Sequence, residues 1–395
     1  MPPYSHSCPT NSLFLLLLWS TCRQCRQIDA LSTPTKILQP RTGLGQFLLD
    51  AALASPVWKQ FLVPAARQKI IDTAQANGIR WTECLDWLKS DAGGPWNRQL
   101  GDDLDTSKNN LPSWYTTSSY HAYETGHLSW DAALEVELAG ASVGARNMPH
   151  AGRRGETVWR SQFADAIVQA GGSIPPLGAV MVDVGCATGV STRGLAAAYP
   201  EAEKIIGIDF SPYFIETGKR LLELAPSEDE WVVNIQQDDR IDLRFGNAAA
   251  TGLRDNSVDV VSLQFVAHEL PPGETIRIFR EAHRILRDGG QLWFCEMDFQ
   301  APAYAAQRAN PLLFSLLRAT EPFVDEYADG QPVLWDSLRQ IFDETVIRAA
   351  TGRHFVAVSS KGKTSKGAVS DLRFDSHGDY AIEDTHLQVW ENQTE

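Results

Sequence analysis

The run Val180-Met181-Val182-Asp183-Val184 constrains this chain more than any other stretch, because it breaks into the small-residue turn Gly185-Cys186-Ala187-Thr188-Gly189. A helical stretch follows, then a second apolar run, Ile205 to Asp209, that ends on an acid. That succession reads as the opening β-turn-α-β unit of a doubly wound sheet. The turn carries no bulky side chain, so its backbone N–H groups can approach a ligand closely. Asp209 stands 20 residues past Gly189, where a carboxylate at the end of the second strand can accept hydrogen bonds from ribose hydroxyls. A nucleoside site is the first expectation.

The remaining chain continues the alternation. Strands are expected at Ala179 to Val184, Lys204 to Asp209, Ile241 to Phe245, Ser257 to Phe265 and Gln291 to Met297. Helices are expected between them at Val190 to Tyr199, Pro212 to Leu224 and Glu274 to Leu286, with Asp288-Gly289-Gly290 as a stop, and a polar excursion runs from Ala225 to Asp239. Two more helices follow, around Pro311 to Thr320 and Val333 to Phe342. Thr345 to Ala350 and His354 to Ser359 then form a hairpin about Thr351-Gly352-Arg353. Ahead of this core, Ala65 to Ala74, the Trp81 to Leu88 stretch, Ala132 to Val143 with Ser129 as N-cap and Gly144 as stop, and Val158 to Ala170 read as helices. The fold class is therefore α/β: a Rossmann-like doubly wound sheet, mostly parallel with a C-terminal antiparallel hairpin, plus an N-terminal helical cap. The expected divisions are a leader over 1–43, a tryptophan-rich cap over 44–150, the sheet domain over 151–361 and a polar tail over 362–395.

Composition narrows the partners. A net charge of -14 argues against nucleic acid, whose phosphates need clustered Lys and Arg. In the expected mature chain no apolar run approaches the roughly 20 residues that span a bilayer. Leu13 to Trp19 is an apolar core of signal-peptide length, followed by a basic, hydroxyl-rich stretch in which Asp29 is the one acid. A bipartite plastid leader is the expectation, with a secretory signal as the alternative. The six cysteines include three inside the leader, and the other three are too scattered for a disulfide framework. Small molecules or protein remain as partners, and oligomeric state is left open.

From Gly178 to about Lys361 the motifs resemble the class I S-adenosylmethionine-dependent methyltransferases, in particular the branch of quinone and sterol C-methyltransferases. Besides the turn, the likeness rests on Gly246-Asn247-Ala248, on Asp255-Asn256-Ser257-Val258-Asp259 and on Ile285-Leu286-Arg287-Asp288-Gly289-Gly290. The segments Tyr120 to Arg146 and Asn310 to Tyr327 also resemble methyltransferase-like proteins of plants, algae and cyanobacteria. The resemblance implies S-adenosyl-L-methionine as cofactor. It assigns Asp183 to the methionine amino group, Gly185, Cys186, Ala187 and Gly189 to the turn over the methionine portion, and Asp209 with Phe210 to the ribose side. Asn247 and Ala248 fall to adenine, and Gln264 to the end of the fourth strand. Two positions depart from the pattern: Ala187 stands where the family's turn has its middle glycine, and Asn247 replaces the usual aspartate, leaving an uncharged acceptor for the adenine amino group.

Past the fourth strand, His268 and Glu269 are candidates for moving a proton from an acceptor. Glu296, with Asp298 beside it, ends the fifth strand and is a candidate for substrate contact, as are Tyr120 and Tyr123 near His121 in a lid before the cap helix. Most tryptophans, Trp58, Trp81, Trp87, Trp96, Trp114 and Trp130 among them, read as packing, and His283 and His354 as structural. No metal site is expected, since histidines and acids show no ligand spacing. Neither an Asn-Pro-Pro-Tyr nor an Asp-Pro-Pro-Tyr signature follows the fourth strand, and no Pro-Cys nucleophile is present, which argues against amide, amine and cytosine-carbon methylation. The expected activity is methyl transfer to oxygen or carbon of a small, apolar acceptor such as a quinone, phenol or lipid-like molecule. The alternative is a cofactor-binding plastid protein with an interaction or regulatory role. A nicotinamide dehydrogenase would need glycines at 185, 187 and 190, and the chain has Gly185, Ala187 and Val190.

Overall fold

Strict alternation along the central strands sends apolar side chains to both faces of one sheet, and helices must cover each face. The computed structural model describes residues 63–90, 111–118, 125–223, 237–310 and 321–362, together with 55, 120, 123, 314, 317, 318 and 320. The leader over 1–43, Trp58, Trp96, His121, most of the polar excursion, most of the 311–320 helix and the tail past residue 362 lie outside the described residues. In chain order the helices are α1 (Val63–Ala76), α2 (Trp81–Lys89), the single turn α3 (Ser113–Thr117), α4 (Trp130–Asn147), α5 (Gly155–Gln169), α6 (Val190–Ala198), α7 (Pro212–Glu223), α8 (Pro272–Ile285), α9 (Pro302–Ala309) and α10 (Val324–Ile341). The strands are β1 (Val180–Val184), β2 (Lys204–Asp209), β3 (Ile241–Phe245), β4 (Val258–Gln264), β5 (Leu286–Met297), β6 (Glu344–Ala349) and β7 (His354–Ser360).

The sheet order is β3-β2-β1-β4-β5-β7-β6. The first five strands run parallel, and β7 pairs antiparallel with both β5 and β6. The order reverses at β1, so the carboxyl ends of β1 and β4 flank the crevice where doubly wound folds take ligands. One face buries Val182, Val184, Ile206, Val261, Leu263 and Phe294 under α8 and α10. The other buries Met181, Ile205, Val260, Trp293 and Val356 under α5 and α6.

Three boundaries differ from expectation for physical reasons. Gly144 does not stop α4, which continues to Asn147. A Cβ at Gly144 would run into the backbone of Glu156, and one at Gly155 would meet the backbone of Ala145, so these glycines let α4 and α5 touch backbone to backbone. Helix α8 ends at Ile285, and Asp288 to Gly290 belong to an irregular start of β5 where its register against β4 shifts. Helix α10 starts at Val324 rather than Val333: Val324, Tyr327, Gln331, Leu334 and Leu338 bury one stripe that carries the helix through Gly330 and Pro332.

Candidate functional site

At the carboxyl end of β1 the chain must reverse and still leave backbone donors facing outward. It does so with three left-handed positions in five residues: Gly185 (φ 72°), Ala187 (φ 48°) and Gly189 (φ 94°). Gly185 and Cys186 donate N–H bonds to the Ile208 carbonyl at 2.7 and 3.2 Å, which lashes the turn to β2. A side chain at 185 would collide with Val266, so the segment after β4 closes on the turn only because this residue is glycine. The thiol of Cys186 points inward among Ile215 and Leu243, and burial pushes its pKa well up, so only its backbone faces the crevice.

The two strand-end acids meet this turn from different sides. Asp183 is buried; Oδ2 accepts from Ser191 Oγ at 2.6 Å and Thr192 Oγ1 at 2.8 Å, while Oδ1 is buried with no well-formed hydrogen bond. Burial raises its pKa. Asp209 accepts the Ala187 N–H on Oδ2 at 3.0 Å and the Ser211 N–H on Oδ1 at 2.7 Å. Its carboxyl is pushed up to about 7, mainly by desolvation and further by the charges of Glu269 and Asp183, against the pull of those two N–H bonds. Each oxygen keeps a second lone pair for a ribose hydroxyl.

The cap closes over the end of β2. Phe210 lies beside Tyr115 and Trp114 of α3, with ring centroids 5.5 and 6.5 Å away. Ser211 Oγ donates to the His127 carbonyl at 2.6 Å, and His127 stacks on Tyr120 with centroids 4.5 Å apart. Helix α4 is joined to the turn through Glu137, which accepts from Thr188 Oγ1 at 2.6 Å and from Arg193 at 2.8 Å, all three side chains being buried. Glu137, Thr188 and Arg193 were not among the expected site residues. The one sequence signal was a carboxylate on the apolar stripe of a cap helix, which names no partner.

At the adenine end, Asn247 spends its side-chain oxygen on the Ala249 N–H at 2.7 Å. That bond closes a local turn and leaves the oxygen a second lone pair and the amide NH2 free to face outward. Ala248 packs against the core beneath. Gln264 donates to Ser262 Oγ at 2.9 Å and accepts from Arg160 of α5 at 3.3 Å, which holds it at the end of β4.

On the acceptor side, a short 3-10 turn, Ala267–Glu269, follows β4. His268 Nδ1 sits 2.9 and 3.0 Å from the two oxygens of Glu296, which also accepts the backbone N–H groups of His268 and Met297. Burial alone would lower the His268 pKa, but Glu296, with Glu269 and Glu321 behind it, lifts it to about 10. The ring is therefore protonated near neutral pH. Glu296 is fully buried beside this ring and orients it. Asp298 is tied to a turn through the Gln300 N–H at 2.9 Å. Tyr120 donates to the Glu269 carbonyl at 3.3 Å, whereas Tyr123 is bound to Glu135 and Arg67 of the cap and, like Ala187, packs against the Ala132, Ala133 and Phe214 cluster. The fold brings one ligand atom from each of His268, Glu269 and Glu321 within 4.8 Å of one another, from positions whose sequence separation conceals it. His354 accepts from or donates to Thr351 at 2.8 Å and burial drives its pKa down to about 3, a structural role.

Residues 182–294 match the family model described as a methyltransferase domain. Demethylmenaquinone methyltransferases of Bacillus cereus and Bacillus anthracis are 29% identical over 115 residues, covering 29% of this chain and 43% of theirs. The chain thus spans under half the length of these relatives. Among solved structures, an O-methyltransferase family protein from Burkholderia thailandensis aligns at 15% identity over 60% of this chain and 63% of its own, TM-score 0.39. Human N-acetylserotonin methyltransferase, solved with S-adenosylmethionine, aligns at 16% over 59% of each, TM-score 0.36. Likeness at that level speaks to neither activity nor substrate. The strand order and the turn between two strand-end acids agree with that match to a methyltransferase domain over residues 182–294. The cofactor of such a domain is S-adenosylmethionine. The residues present fit it: three left-handed turn positions, a carboxylate at the end of β2 with lone pairs to spare, and a buried Asp183 oxygen without a well-formed bond.

Proposed function

We propose that the chain transfers a methyl group from S-adenosylmethionine to oxygen or carbon of a small apolar acceptor, a quinone, phenol or lipid-like molecule. The observation that carries this reading is the turn held between Asp183 and Asp209 under an aromatic cap, with the protonated His268 on the neighbouring strand end. Asp209 would hold the ribose, the turn the methionine portion, and Asn247 with Ala248 the adenine edge. When bound, the cofactor supplies an electrophilic sulfonium methyl. The protein's part is then orientation and exclusion of water, which is why no strong nucleophile is needed. His268 carries its charge toward the acceptor and steadies the oxyanion or enolate formed as the acceptor loses its proton, and Glu269, partly exposed, is the carboxylate placed to take that proton. The quinone named in the bacterial relatives' activity agrees with an acceptor of this kind.

Ala187 in a left-handed conformation and the uncharged acceptor of Asn247 favour a second reading, a cofactor-binding protein with weak or no catalysis. Methyl transfer from labelled S-adenosylmethionine into a lipid and pigment extract separates the two, with Asp209→Ala as control. Equal labelling by wild type and variant overturns the enzyme reading; binding without transfer supports the second. The plastid address of residues 1–43 is part of the proposal, and a fluorescent fusion of that segment entering the secretory pathway alone would refute it.

A further inference from the structure

Two arginines beside the end of β5 have no acid to meet. Arg146 stands in the last turn of α4 and Arg353 in the turn between β6 and β7. Neither side chain makes an ion pair or a hydrogen bond among the described residues. Desolvation lowers the Arg146 pKa, and the charge of Arg353 lowers it further. Arg146 is nonetheless exposed to water, so it sits in a recess, wetted but walled by protein. Like charges held in one another's field repel, and an anion between them would turn that repulsion into attraction.

The third group of the recess is Tyr304 of α9. Its ring lies under the Arg353 guanidinium, 5.8 Å from Cζ to centroid, and the residue is only 8% exposed. Its hydroxyl has no hydrogen-bond partner among the described residues, yet it is not sealed from water. Burial pushes the Tyr304 pKa up to about 12, against the pull of both guanidiniums, so the hydroxyl is a donor near neutral pH. A file of rings connects these donors to the end of β4. Phe265, next to Gln264, lies 5.5 Å from His354, and His354 lies 6.0 Å from Tyr304. We propose that Arg146, Arg353 and the Tyr304 hydroxyl hold an anionic group, a carboxylate or a phosphate, at the far end of the methyl acceptor. The guanidinium fork matches either oxyanion in two parallel hydrogen bonds. The cofactor's own carboxylate is too distant to be that anion. It belongs over β1, and β7 lies three strands away, about 14 Å at about 4.8 Å per strand. The acceptor is thus an apolar body, flat enough to lie along Phe265 and His354, with one charged end. This deepens the methyltransferase reading and rests on it only in calling the ligand an acceptor.

The test is calorimetry on the full chain saturated with S-adenosylhomocysteine. The probes are 4-hydroxycinnamate and phenyl phosphate, with methyl 4-hydroxycinnamate and phenol as their uncharged counterparts. At least one anion should bind one per chain and at least about tenfold more tightly than its counterpart, and that preference should vanish in Arg146→Gln and in Arg353→Gln. Which anion binds more tightly separates carboxylate from phosphate. S-adenosylhomocysteine affinity is measured alone in each protein and should be the same in all three. Its absence in wild type would count against the cofactor reading, and the anion titrations, repeated without it, would still decide the subsite. Should Arg146→Gln not fold, Arg353→Gln in its exposed turn decides. No preference for either anion in wild type, or an undiminished preference in Arg353→Gln, would overturn the proposal.

Discussion

Ala187 shows how one methyl group can set cofactor affinity. At φ 48° an alanine bears a steric penalty of roughly 1 kcal/mol that glycine does not. Its methyl also packs against the cluster of Ala132, Ala133 and Phe214, a gain of about 0.8 kcal/mol for one buried carbon. The two nearly cancel, so Ala187→Gly should change stability in urea by under about 1 kcal/mol. Cofactor binding has no such cancellation: the ligand gains room at the turn, and calorimetry should find S-adenosylhomocysteine bound more tightly. Weaker binding would show that the methyl is a contact, not an obstruction. Asp209 offers a pH signature. Its carboxyl is held at about 7 in the folded chain against 3.8 in an unfolded one. Between those values the folded state binds more protons than the unfolded state, so this group's contribution to stability falls as pH rises from about 4 to 7 and is level above. Ribose hydroxyls prefer the ionised acceptor, so cofactor affinity runs the other way. It should fall about tenfold for each unit below pH 7 and plateau above it. A flat affinity from pH 5.5 to 8 would remove Asp209 from the ribose.

At the scale of elements, α4 joins cap to core by two different means. One is the glycine crossing with α5 at Gly144 and Gly155; the other is the buried Glu137–Arg193 pair that also grips Thr188 of the turn. Glu137→Ala leaves Arg193 buried without its carboxylate, and urea unfolding should report a loss of about 3–5 kcal/mol. Glu137→Gln keeps acceptors for Thr188 and Arg193 and should lose less, about 1–3 kcal/mol. If the two variants match, the hydrogen bonds that Gln retains contribute nothing and the carboxylate's charge accounts for the whole loss. This element also marks the limit of what local pattern reveals. The strands, the Ser129 cap (Ala132 N to Ser129 Oγ, 3.2 Å) and the turn acids were legible because period, capping chemistry and glycine spacing are written within a few residues. Gly144 was read as a stop because the same residue serves close packing, and only the opposing helix distinguishes the uses. Glu137 and Glu321 acquire meaning from Arg193 and His268, partners that the fold supplies and no window of sequence contains. Asn247 was visible as a departure from pattern, but the bond its oxygen accepts from the Ala249 N–H is a matter of local geometry.

Across the whole molecule, the site lies between two bodies of different construction. The sheet is continuous and buried on both faces, while the cap reaches it through the α4–α5 glycine crossing, the packing of Ala132 and Ala133 with Phe214, and a set of polar and aromatic ties: Glu137 to Thr188, His127 to Ser211, Tyr120 to Glu269, and Trp114 with Tyr115 against Phe210. Each of those core partners adjoins a group assigned to the cofactor or the acceptor. A ligand that orders the turn and the end of β2 therefore also orders the surface on which the cap rests, and segments with few buried contacts are the ones whose opening is cheapest. Saturating S-adenosylhomocysteine at about 100 times its Kd should add about 2.7 kcal/mol to unfolding. Its distribution is the stronger test. Amide hydrogen exchange should slow at residues 183–189 and 209–211, and also at 111–118 and 125–147, which the ligand meets only in part. Slowing confined to the first two segments would show that the cap stands over the site without sharing in the binding, and the acceptor would then have to be recognised by the strand ends alone.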